Sequence, residues 1–76
     1  MRLKALRLWR LDRGLDQREL AVRAGITSNR VAMIENGVVE PATEELNRIS
    51  TILRVPAEEL CGDGLAALHR LHASSK

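Results

Sequence analysis

Aromatic side chains are almost missing from this chain: it has no Phe and no Tyr, and Trp9 stands alone. Single strands and RNA bases are held by stacking on aromatic faces, so this scarcity argues against both as partners. One cysteine, Cys61, excludes an internal disulfide and fits a reducing cytosol, its plainest reading being a small, half-buried thiol. Long apolar runs are absent. Lys4, Arg7 and Arg10 interrupt the N-terminus, so no secretory leader is expected, and nothing approaches membrane-spanning length. There are no repeats and no low-complexity tracts beyond a polar end at Ala73 to Lys76, expected to fray. Histidine, cysteine and carboxylates form no catalytic cluster and no glycine loop cradles phosphate, so an enzyme is not expected. His69 and His72, with Cys61 nearby, lack the carboxylate or second cysteine that a metal site needs. Neither a metal nor another cofactor is expected.

What is present is one small helical domain. Seventy-six residues leave room for no more, and a core this size supplies only a few kcal/mol net, so an oligomer interface would help it. The formal charge of +2 hides an uneven distribution. From Arg2 to Arg30 there are eight Lys or Arg against three Asp or Glu, whereas Glu35 to Glu59 holds six acids against two arginines. Such a chain suits a front that meets phosphate and a back that meets protein.

The segment from Leu15 to Gly37 is the most informative. Asp16 and Glu19 have the spacing of a capping box for a helix beginning at Gln17, on which Leu20, Ala21 and Ala24 share a face. Gly25 suits a left-handed stop, Ile26 plugs the space between two helices, and Thr27 caps a second helix with Val31 and Ile34 inward. Asn36-Gly37 closes it. That second helix leaves Ser28, Asn29 and Arg30 outside in its first turn and Met33 one turn on. Polar groups that donate and accept at the open end of a helix suit base edges in a DNA major groove.

Gln17, Glu19-Leu20-Ala21, Gly25, Thr27 and Glu35-Asn36-Gly37 together resemble the Cro/cI-type helix-turn-helix family of phage repressors and bacterial regulators, and the likeness extends more loosely from Leu6 to Leu60. It implies an all-α, compact five-helix lambda-repressor-like DNA-binding domain over residues 1–62, with the helix-turn-helix at about 17–36. Residues 63–76 would add a short C-terminal helical segment and a polar tail. The flanking pattern agrees. Arg2 to Asp12 reads as a helix with Leu3, Leu6 and Trp9 on one face, closed by Arg13-Gly14. A narrower line of Met1, Ala5 and Leu8 reads as surface residues or as a seat for the C-terminal segment or a second subunit. Val38-Val39-Glu40-Pro41 is a loop. Ala42 to Arg54 is a helix with Leu46, Ile49, Ile52 and Leu53 in its core stripe, and Pro56 opens a fifth helix through Leu60. Leu65, Leu68, Leu71 and His72 align at helical spacing, in a segment that would dock, pair with its copy or be disordered.

By the same resemblance, Ser28, Asn29, Arg30 and Met33 fall at base-reading positions, and Gln17, Thr27 and the backbone at Asn36 at phosphate-facing ones. Asn29 can pair with an adenine edge, Met33 can touch thymine methyls, and Arg30 reaches a phosphate or guanine or is simply an exposed, ion-paired arginine. An ion pair between Arg10 and Glu35 would tie the first helix to the third. The fifth helix and the C-terminal segment would supply the dimer contact, with Val55, Leu60, Leu65, Leu68 and Leu71 as candidates. The loop departs from the family: two valines and an acid stand where lysines or arginines are usual, which puts loop-to-phosphate contacts in doubt. The implied function is a cytoplasmic, bacterial or phage-encoded transcriptional regulator, a repressor, reading a pseudo-palindromic operator as a homodimer. Two alternatives remain open. One is an antitoxin or restriction-modification-type control protein whose acidic half also binds a small protein. The other is a helix-turn-helix fold kept only for protein interaction.

Overall fold

Short-range hydrogen bonds set most of the helix ends in this chain. The computed structural model describes residues 2–62, where five helices are the regular elements: α1 Leu6–Asp12, α2 Gln17–Ala24, α3 Ser28–Glu35, α4 Thr43–Leu53 and α5 Ala57–Cys61. The expectations placed on Met1, Leu65, Leu68, His69, Leu71 and His72, and so on segment 63–76, lie outside the described residues.

Asp16 caps α2 with both halves of a capping box, accepting from the Glu19 amide at 2.7 Å while Glu19 accepts from the Asp16 amide at 3.0 Å. Gly25 ends α2 at φ 71°, a conformation that costs only glycine nothing. Thr27 Oγ1 then accepts from the Arg30 amide at 3.0 Å and starts α3. The turn between them is thus fixed by local chemistry, and the two helices are locked by apolar groups. Leu20, Ala21 and Ala24 of α2 and Val31 and Ile34 of α3 are all buried, with Ile26 packed partly against them. Full burial of each Leu, Val or Ile side chain contributes about 1.5–3 kcal/mol.

α1 is shorter than the uninterrupted pattern from Arg2 predicts. Leu3 is buried in the core, the chain turns at Lys4 and Ala5, and the Ala5 amide donates to the Leu60 carbonyl of α5 at 3.1 Å. A tertiary bond, and no side-chain cap, sets this helix start. Ala5 is accordingly core, and Leu8 packs half-buried against it, so the line of Met1, Ala5 and Leu8 does not behave as a surface stripe at these two positions.

α4 buries Ile49 and Leu53, with Leu46 and Ile52 flanking. It ends at Arg54, a non-glycine residue in the left-handed region at φ 57°. Val55 follows, its amide donating to Ser50 O at 3.1 Å and its carbonyl accepting from Ser50 Oγ at 2.6 Å. Val55 and Leu60 were expected at a subunit interface, and the structure corrects this. Val55 is 3% exposed and Leu60 fully buried, because both belong to the subunit's own core, where α5 packs against α1 and α4. No helix among the described residues is long and apolar enough to cross a membrane.

Candidate nucleic-acid interface

The outer face of α3 is shaped by what its inner face must do. Val31 and Ile34 point into the core, so Ser28 and Asn29 emerge exposed at the opening turn, and Met33 is half-buried one turn later. Asn29 Nδ2 lies 3.7 Å from Met33 Sδ, so the amide and the thioether share one outward surface. An amide beside an apolar group can read an adenine edge next to a thymine methyl.

Behind that surface sits a pair of buried charges. Arg10 Nε donates to Glu35 Oε2 at 2.5 Å, Nη2 to Oε1 at 3.3 Å and Nη1 to the Leu15 carbonyl at 2.8 Å. The two side chains are 6% and 3% exposed. Gln17 Nε2 adds a hydrogen bond to Glu35 Oε1 at 3.1 Å. Arg10, Gln17 and Glu35 therefore fix α1, the opening of α2 and the end of α3 in one arrangement. Gln17 uses one amide hydrogen for this and keeps the second to donate elsewhere.

Gln17, Ser28 and Asn36 line a single open groove of about 590 Å³ together with Arg7, Arg10, Asp16, Arg18 and Glu35. A second groove of about 260 Å³ shares Glu35 and Asn36 and adds Arg2, Lys4 and Gly37. Arg7, Arg18, Arg2 and Lys4 therefore rim the surface on which the predicted phosphate residues lie. In the sequence the only sign of these four is the basic excess of the front half. Thr27 stands exposed beside the site, its hydroxyl oxygen engaged in capping and its proton free to donate. The Asn36 backbone is corrected as a phosphate contact: its amide donates to the Ala32 carbonyl at 2.9 Å, leaving only its exposed side chain.

Arg30 is not available with the others. Its Nε donates to Glu45 Oε2 at 2.9 Å, and its Nη2 donates to Glu45 Oε1 at 2.8 Å and to the Glu40 carbonyl at 3.4 Å. The hydrogen bond to Glu45 raises the Arg30 pKa further, and the same bond holds the Glu45 carboxyl below its ordinary range. Of the four residues expected to read bases, Ser28, Asn29 and Met33 are thus the ones left without an ion pair on the outward surface.

No group of three or more His, Cys, Asp or Glu among the described residues could hold a metal ion. Cys61 is half-buried, and burial pushes its thiol pKa up, away from the reactive thiolate. The helix-turn-helix family model matches residues 6–60, most of the chain. No curated protein and no solved structure matches it.

Proposed function

Because the chain belongs to the Cro/cI-type helix-turn-helix family of DNA-binding regulators, we propose that it is a sequence-specific repressor that reads a pseudo-palindromic operator as a homodimer, with α3 in the major groove. The observation that carries this reading is the exposure of Ser28 and Asn29 on a helix whose opposite side, at Val31 and Ile34, is locked in the core. Contacts divide by task. Asn29 pairs with an adenine edge, Met33 meets a thymine methyl and Ser28 bonds whichever edge it faces. Gln17, Thr27 and the Asn36 side chain hold phosphates, with Arg7 and Arg18 supplying the charge around them.

One subunit reads a half-site of a few base pairs, too little to single out an operator in a genome. A two-fold dimer placing its reading helices about 34 Å apart supplies the missing specificity. Val55 and Leu60 take no part in that contact, since both are consumed inside the subunit.

Selection from a random duplex pool, followed by titration of the winner at two salt concentrations, tests this reading. The expected result is an inverted repeat bound by two subunits, with affinity falling steeply as salt rises. Enrichment of no sequence would overturn it.

Val38, 68% exposed in the loop after α3, favours a second reading in which a small protein partner also docks on this chain. On that reading a small protein co-purifies with the chain and is lost on Val38→Asp. Unchanged co-purification of the variant would remove this loop from the docking surface.

A further inference from the structure

The opening turn of α3 contains a cation that DNA reading, as proposed above, does not use. Arg30 lies between exposed Asn29 and buried Val31, and its side chain is 34% exposed, at the rim of the subunit. An arginine there has two anions within its chemistry: a carboxylate of its own chain or a phosphate of the duplex. Both accept the planar guanidinium fork.

The carboxylate is already in place. Glu45 sits in the first turn of α4 with its side chain 13% exposed, and it takes two hydrogen bonds from the Arg30 fork at 2.8 and 2.9 Å. Its Oε1 also accepts from the Ala42 amide at 2.7 Å. Ala42 has no side-chain acceptor to give in return, so this is only the return half of a capping box. Its effect is to hold Glu45 at the mouth of α4, facing α3. A phosphate would have to draw Arg30 out of a two-bonded fork whose acceptor is fixed by a third bond.

We propose that Glu45 is a positioning residue for DNA recognition: it sequesters Arg30, so that the reading turn meets the duplex through Ser28, Asn29 and Met33 with no mobile cation among them. The inference rests on the DNA-reading function proposed above. A freed Arg30 would add a phosphate contact, which strengthens binding to every sequence alike. It would therefore raise operator and bulk affinity by the same factor, leave their ratio unchanged and make both more dependent on salt. Glu45 thus limits the sequence-independent part of the affinity and its salt dependence.

The test compares wild type, Glu45→Gln, Glu45→Leu, Arg30→Ala and the Arg30→Ala/Glu45→Gln double variant. Each is titrated over a fourfold range of salt against the selected operator and a 20-bp duplex of scrambled sequence. Glu45→Leu guards against the Gln amide oxygen retaining Arg30. Both Glu45 variants are expected to bind the scrambled duplex more tightly at low salt, with a log–log salt slope steeper by about 0.9. Their affinity therefore falls about threefold more than that of wild type across the range. Arg30→Ala keeps the wild-type slope, and adding it to Glu45→Gln restores that slope. A purely structural role for Glu45 lowers the melting temperature and leaves the slope alone, which overturns the proposal. So does a shallower slope for Arg30→Ala, since Arg30 would then already be on a phosphate, and so does a double variant that stays steep. Failure of wild type to bind either duplex would instead sink the DNA-reading function itself.

Discussion

Removing the Arg10 guanidinium would leave the Glu35 carboxylate, 3% exposed, with only the Gln17 amide as a partner. An uncompensated buried charge costs about 3–5 kcal/mol, whereas replacing both partners by apolar groups of similar volume is often neutral. Arg10→Met should therefore lower stability by that order in urea unfolding, and Arg10→Met/Glu35→Leu should recover most of it. A single variant that unfolds like wild type would remove the pair from the account of stability. Glu45 makes a prediction about pH. Its folded pKa is lowered by the Arg30 bond, so its contribution is complete above the unfolded carboxylate value, about 4.3. It is lost as pH falls through the lowered folded value. Glu45→Gln should leave stability near neutrality reduced and its fall in acid shallower, read as the urea midpoint against pH. Parallel midpoint curves for the two proteins would contradict this. The Arg10–Glu35 partnership is suggested in the sequence only by resemblance. The Arg30–Glu45 pair has no signal there, because its partners lie on two helices whose relative placement depends on the whole core.

Helix ends in this chain fall into two kinds, and the difference explains what sequence could reveal. α2 and α3 are bounded by Asp16, Glu19, Gly25 and Thr27, each acting within a few residues of itself, and their limits are legible from spacing alone. Thr27→Ala should cost about 1 kcal/mol, because the Arg30 amide loses its acceptor. A change of a few tenths in chemical unfolding would show that the cap is dispensable. Further contacts at helix ends are made across space. Arg13 Nε bonds the Leu53 carbonyl at the close of α4 at 2.6 Å, and Arg48 Nη1 reaches the Ala24 carbonyl at the close of α2 at 3.3 Å. The Ala5–Leu60 bond sets the start of α1. Nothing local at Arg2 to Ala5 announces that bond, which is why the pattern overstates α1 and why Ala5 reads as surface. Arg54, at φ 57° and ψ 44°, holds a left-handed conformation that costs an ordinary residue about 1–2 kcal/mol. Arg54→Gly should therefore gain up to about 1 kcal/mol. A domain of this size gains ~4–8 °C of Tm per kcal/mol. A lower Tm would show that the Arg54 side chain contributes more in contacts than the backbone loses.

At the scale of the whole molecule the basic front half becomes a surface. Arg7 and Arg18 rim the groove containing Gln17, Ser28 and Asn36, while Arg2 and Lys4 border the adjoining one at Glu35 and Asn36. The sequence shows the charge excess but not which cations share a face, because that depends on how α1, α2 and α3 cross. Val55 and Leu60 show the same limit from the other side: an apolar residue near the end of a domain reads equally well as interface or as core, and here the core takes both. The central claim is that α3 reads base edges while the grooves behind it hold the backbone. The most direct measurement is a binding profile over every single-base-pair change in the selected operator, made for wild type, Asn29→Ala and Gln17→Ala. Asn29→Ala is expected to lose about 1–3 kcal/mol and become indifferent at one base pair per half-site, while Gln17→Ala weakens binding to all sequences equally. A profile for Asn29→Ala that keeps the wild-type preference at every position would contradict it.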